Sequence, residues 1–203
     1  MNSTALWYTT RASGIVALVL LTATMVLGLA TTNRARARNW PGYAQQEIHR
    51  RLSIIAVVLV GIHVLTSVLD TYVDISWAAI LVPFTSSYGR FWVGVGTVGL
   101  DLMLAVFVSS LLRARMRPST WRAVHWLAYL CWPLALAHTF GMGTDAGEGW
   151  VIVLAALCIL AVGVSLVWRL RTSARQRGAG AAVTRAPGAG RKHLATRGVG
   201  RDA

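Results

Sequence analysis

An all-α integral membrane bundle of about five transmembrane helices is the fold this sequence predicts, and three observations predict it. Of its 203 residues 55% are hydrophobic and only 13% charged, a balance far from that of soluble domains. The apolar residues gather into five runs, each near the roughly 20 residues needed to cross about 30 Å of hydrocarbon at 1.5 Å per residue. The charges lie between and after those runs rather than among aromatics on one surface, so the formal net charge of +13 argues for a membrane protein with basic loops and against a nucleic-acid partner.

The first run, about 14–31, is followed by Arg34, Arg36 and Arg38 and preceded only by Arg11, the pattern of a retained helix with a stop-transfer cluster and not of a cleaved signal peptide. The second, about 50–69, lies in "HRRLSIIAVVLVGIHVLTSVLD". Between it and the third, about 91–112, "DISWAAILVPFTSSYGR" (74–90) is too short and too broken at Pro83 to span, yet too apolar for a solvated loop, which predicts a short interfacial helix or re-entrant flap. The fourth and fifth runs are about 121–140 and 150–169. The division expected is a membrane domain over 1–170 and, over 171–203, a disordered basic cytoplasmic tail rich in Gly, Ala and Arg and attracted to anionic lipid heads. Cys131 and Cys158 sit inside apolar runs without metal-ligand spacing and read as small buried hydrophobes.

Arginine placement sets the expected orientation, because short loops rich in Lys and Arg stay in the cytoplasm. The loops after runs one and three hold Arg34, Arg36 and Arg38, and Arg113, Arg115 and Arg117; the loops after runs two and four hold Asp70 and Asp74, and Asp145 and Glu148. The N-terminus is therefore expected outside, the C-terminus in the cytoplasm, and the chain in the cell (plasma) membrane as a multi-pass protein.

Four histidines carry the chemistry; the fifth, His193, falls in the basic tail. His49 and His63 are 14 residues apart in the second run, His125 and His138 are 13 apart in "HWLAYLCWPLALAH" of the fourth, and both segments run in the same direction. The pairs thus share two depths, about 20 Å apart along the helices. A single intramembrane histidine is usually a hydrogen-bonded structural residue, but ionisable groups there are costly, and two matched pairs are hard to obtain by accident. Zinc or copper passages usually recruit Asp, Glu, Cys or Met as well, and no carboxylate lies between these histidines. Haem iron, held by one imidazole on each side in apolar surroundings, fits the pattern better. One feature fits less well: at about 100° per residue, 14 residues leave His49 and His63 about 40° apart, whereas 13 leave His125 and His138 about 140° apart. A kink at Pro133 is the expected repair.

The spacings in "HRRLSIIAVVLVGIH" and "HWLAYLCWPLALAH", with the neighbouring "LVPFTSSYGRFWVGVGTVGLDLML" and "WRAVHWLAYLCWP", resemble the ferric-reductase-like transmembrane family, the haem-bearing core related to NADPH oxidases and to the membrane subunit of periplasmic methionine-sulfoxide reductase. The resemblance covers about residues 5–170. It implies two b haems, the inner ligated by His49 and His125 and the outer by His63 and His138, and electron transfer from a cytoplasmic-side donor to an extracytoplasmic acceptor or redox protein. The chain departs from the oxidases of that family in having no GxGxxG fingerprint after a strand, "GAGAAVTRAPGAG" not being one, and in having five runs where many relatives have six. The expected donor is therefore separate, a cytoplasmic flavin reductase or membrane quinol.

Arg50, Arg51 and Arg122 lie at the inner pair's expected depth as partners for haem propionates or as plain positive-inside anchors. Ser86, Ser87, Tyr88 and Arg90 are the corresponding outer candidates, Gly61, Gly94, Gly96 and Gly99 would admit a porphyrin or a neighbouring helix, and Asp101 is the one acid deep in a span. Trp77, Trp92, Trp121, Trp150 and Trp168 read as interface anchors. Three functions compete: the di-haem electron carrier, alone or as the membrane subunit of a periplasmic reductase system; a metal or proton pathway through the histidines; and a structural membrane protein whose basic tail recruits partners.

Overall fold

The computed structural model describes residues 3–31, 42–70, 73–143 and 145–184, and these form α-helices and short turns with no strand. The helices are α1 (Ser3–Thr31), α2 (Gly42–Leu69), α3 (Arg90–Leu111), α4 (Pro118–His125), α5 (Ala128–Met142) and α6 (Gly149–Thr184). Arg34, Arg36, Arg38 and His193 lie outside the described residues.

Four of the five expected spans are continuous helices long and apolar enough to cross a membrane: Thr4–Ala30, Gly42–Leu69, Arg90–Leu111 and Gly149–Arg175. The remaining one is α4 and α5 in series. Much of the apolar surface faces outward, including Ile54, Ile55 and Val58 on α2 and Ile152, Val153, Leu157, Leu160 and Val164 on α6. A soluble monomer would not leave such continuous faces uncovered, whereas helices that satisfy their own backbone hydrogen bonds can present them to lipid. The protein is an integral multi-pass membrane protein.

Helix ends depart from expectation where polar residues join an apolar run. α1 begins at Ser3, well before 14, and within it Thr9 and Ser13 satisfy their hydroxyls by donating to the carbonyls of Ala5 and Thr9 one turn back. α2 begins at Gly42 through "YAQQEI", with Glu47 one turn before Arg50 and Arg51 and paired to both. α6 continues to Thr184, so the residues expected to open a disordered tail at 171 extend the last helix instead; Arg, Ala and Gln there are good helix formers. The tail from 185 onward lies outside the described residues.

The fourth expected span breaks at Trp126–Leu127, ahead of the proline assigned that role. Leu127, Tyr129 and Leu130 each donate to the carbonyl three residues back, on Val124, Trp126 and Leu127, so the chain tightens into a 3-10 turn. Winding at 3.0 rather than 3.6 residues per turn adds about 20° per residue, so three or four such residues bring His125 and His138 from about 140° to about 60–80° apart. Pro133 stays inside α5 and does not end it.

Helix α1 is central, touching α2, α5 and α6, while α3 packs against α5. Trp132 forms a buried core with Cys158 and Val162, surrounded by Leu21, Met25, Val26 and Leu136. Its indole N–H donates to Thr22 Oγ1 at 2.9 Å, and that hydroxyl itself donates to Leu18 O. Thr22→Val would leave the indole N–H buried and unpaired, a loss of about 1–3 kcal/mol that reversible unfolding in mixed micelles would read. Both cysteines are buried and free, as expected.

The segment 74–90, expected as a short interfacial helix or re-entrant flap, is an irregular stretch that holds one short helical turn and packs on the start of α3. It contains one 3-10 turn, Trp77–Ile80, fastened by Thr97 Oγ1 donating to Ala79 O. After Pro83 the chain reverses at Phe84, whose φ of 64° is rare for an aromatic residue. The conformation is held because Arg90 Nε donates to Phe84 O at 2.6 Å and the ring lies directly on Gly94, where any Cβ would collide with it.

Candidate functional site: two facing histidine pairs

The fold brings the four histidines together in two pairs, each joining α2 to the α4–α5 segment. The ring centroids of His49 and His125 are 6.4 Å apart and those of His63 and His138 are 6.2 Å apart, with planes crossing at 66° and 87°. A metal–imidazole nitrogen bond of about 2.0–2.1 Å, with the nitrogen about 1.1 Å from its ring centroid, places two imidazoles on opposite sides of one metal about 6.3 Å centroid to centroid. The spacing of each pair is that of two imidazoles flanking one metal ion, and it also lies within the range of edge-to-face ring contacts.

Three of the four rings are held the same way. Nδ1 of His63 lies 2.8 Å from Thr10 O, that of His49 lies 3.1 Å from Thr24 O, and that of His138 lies 2.8 Å from Trp92 O. A carbonyl can only accept, so Nδ1 carries the proton and Nε2 keeps the lone pair that a metal needs. Four residues after each carbonyl stands a glycine against the same ring: Gly14 under His63, Gly28 under His49 and Gly96 under His138. The missing Cβ lets the imidazole approach the helix closely enough to reach the carbonyl one turn earlier. Helix α1 thus carries a 14-residue repeat, Thr10-x3-Gly14 and Thr24-x3-Gly28, that answers the 14-residue spacing of His49 and His63 on antiparallel α2. The repeat is visible in the sequence, but its meaning appears only beside α2. Of the glycines singled out from the sequence, Gly96 is part of a cradle, Gly94 receives Phe84, Gly99 touches Leu134 and Gly61 faces open space.

A cavity of about 320 Å³, within the usual range for ligand sites, surrounds the His63–His138 pair with mostly apolar walls from α1, α2, α3 and α5. Gly14, Gly96 and Thr97 form part of its lining, and Arg11, Asp70, Tyr88 and Asp145 contribute its polar groups. Arg11, read from the sequence only as the charge before the first span, lies over the Trp7 ring and pairs with Asp145. Of the outer candidates Tyr88 lines the cavity, whereas Arg90 is committed to Phe84, Ser86 to Tyr88 O and Ser87 to Asp74 O. Asp101 is not among the lining residues.

At the other pair the structure does not bring the expected arginines to the rings. Arg50 and Arg51 are 73% exposed and paired with Glu47, and Arg122 is exposed. Trp121 and Arg113 are there instead: the indole stacks on His125 at 5.0 Å and 23°, and the Arg113 guanidinium lies 4.3 Å from the indole centroid. Nothing in the sequence distinguished Trp121 from the other tryptophans near span ends.

A family model described as ferric reductase like transmembrane component matches residues 13–136, more than half of the chain. The chain belongs to the ferric reductase-like transmembrane family. No curated protein and no solved structure matches. The match includes His49, His63 and His125 and stops two residues before His138, so the last of the four histidines joins the set through its geometry. Membership in the ferric reductase-like family makes this protein a membrane redox component.

Proposed function

We propose that the protein is a membrane cytochrome that carries electrons one at a time across the bilayer through two bis-histidine b haems, one in each leaflet. The observation that carries this reading is the pair of centroid distances, 6.4 and 6.2 Å, each matching two imidazoles on one metal. Three engaged Nδ1 atoms and the apolar cavity at His63–His138 support it further. Among the described residues no three potential ligands of the His, Cys, Asp or Glu type converge, which speaks against a zinc- or copper-passage reading.

Bound haem supplies the one-electron iron chemistry. The chain's residues do the rest: His49 and His125 hold the inner group, His63 and His138 the outer, and Thr10, Thr24 and Trp92 orient their rings through backbone carbonyls. The apolar faces of α1, α2, α3 and α5 exclude water, and Arg11, paired with Asp145, is the cation that lines the outer cavity among the described residues. Arg113, Arg115, Arg117 and Arg122 surround the His125 end and Asp70, Asp74, Asp145 and Glu148 the His138 end, so the former is assigned to the cytoplasm of the cell membrane. The donor is then a flavin reductase or membrane quinol on that side, and the acceptor an extracytoplasmic redox protein or oxidant, as in the membrane subunit of a periplasmic reductase system.

The test is the absorbance spectrum of protein purified from haem-replete cells, oxidised and then reduced with dithionite. The expected result is a Soret band that sharpens, a b-type α band and about two haems per chain. A colourless, folded preparation would overturn the proposal.

A further inference from the structure

Three histidines share one mode of support and the fourth does not. On α3, Trp92 and Gly96 serve His138; 14 residues further along, the matching positions are Val106 and Ser110. Ser110 has a Cβ where the other cradles have none, and the Val106 carbonyl already accepts the hydroxyls of Ser109 and Ser110 at 2.9 and 2.7 Å. Consistent with a missing cradle, Nδ1 of His125 is buried and has no hydrogen-bond partner among the described residues. His125 is also the last residue of α4, directly before the 3-10 turn, so a continuing α-helix does not constrain it.

What touches the His125 ring is Trp121, one turn earlier on the same helix and nearly parallel to it. The indole is not held by its own N–H, which is likewise buried and unpartnered among the described residues; it lies under the Arg113 guanidinium. We propose that Trp121 is a positioning residue for His125, setting by ring stacking, within an Arg113–Trp121–His125 column, the imidazole orientation that backbone carbonyls set for the other three histidines. This rests on the di-haem reading above. Stacking fixes a ring's plane but not which nitrogen carries the proton, so the His49–His125 site is the more easily disturbed of the two.

The test compares full-length wild type with Trp121→Leu, Trp121→Phe and, as a control away from the site, Trp150→Leu, whose native side chain is 52% exposed. Haem content, the low-spin electron paramagnetic resonance signals and both midpoint potentials are read. Trp121→Leu is expected to weaken retention of the inner haem by about 10–100-fold, as loss of a ligand's orienting partner typically does, with the outer haem unchanged. Trp121→Phe, which keeps a ring to stack, should retain both haems and shift only the inner signal and potential; Trp150→Leu should change neither. The inference is overturned if Trp121→Leu leaves the inner signal and potential at wild-type values, if both haems fall together, or if Trp150→Leu acts alike. Should Trp121→Leu fail to fold, Trp121→Phe decides, and an unshifted inner potential counts against the proposal. A haem-free wild type would instead defeat the di-haem reading itself.

Discussion

Replacing His63 or His138 by alanine is expected to remove the same haem, the outer one, reducing the content from about two per chain to about one while leaving the inner spectrum and potential intact. Replacing His49 or His125 should do the converse. The pairing follows from which rings face each other, at 6.2 Å for His63 and His138 and 6.4 Å for His49 and His125. Each pair joins one residue of α2 to one of the α4–α5 segment, so no single helix can hold a group by itself. Pigment content and redox titration of the four single variants would check this. Equivalent spectra and potentials for His63→Ala and His125→Ala would show that the rings do not work in these pairs.

The second large effect belongs to a residue with no side chain. A Cβ built on Gly96 would lie 2.6 Å from His138 Nδ1, one on Gly14 2.9 Å from His63 Nδ1, and one on Gly28 3.5 Å from His49 Cε1. Only the last is an ordinary contact distance, so the order of damage expected is Gly96→Ala, then Gly14→Ala, with Gly28→Ala mild. Neither ring can retreat without lengthening its hydrogen bond to Trp92 O or Thr10 O. Gly96→Ala should cost about 1–3 kcal/mol in packing and weaken outer-haem retention by about 10–100-fold. Gly61→Ala on α2 is the control: nothing lies within 4 Å of the added methyl, and alanine favours helix over glycine by about 0.8–1 kcal/mol. Haem titration and unfolding of the four proteins would separate the cases. Comparable loss in Gly61→Ala and Gly96→Ala would mean that glycine matters to the helices and not to the ring.

Much of this protein is readable along the chain because its environment imposes one-dimensional rules. A run such as Ile54–Leu65 has to be helical in lipid, since no water is available to an unpaired backbone, and its length is set by the bilayer. The four histidines were legible for the same reason: an imidazole in such a run stands out, and matched spacing on two helices running the same way implies shared depth. The ion pairs of Glu47 with Arg50 and Arg51 came from packing along one exposed helix face, which sequence proximity to the inner pair did not reveal.

Composition and run length determined by themselves that the chain is a helical membrane protein, and histidine spacing set four residues apart from the rest; the ferric reductase-like family came from the resemblance of the surrounding strings and the family match. Tertiary structure alone decided how each ring is held. Thr10-x3-Gly14 is an unremarkable stretch of α1 until α2 packs antiparallel against it and brings His63 over the glycine. The turn at Trp126–Leu127 likewise acquires its purpose only because His125 and His138 must both face α2. Periodicity along one helix reports which residues share a face and a depth; which carbonyl, glycine or indole meets that face depends on the rotation and register of the neighbouring helix, and packing sets these.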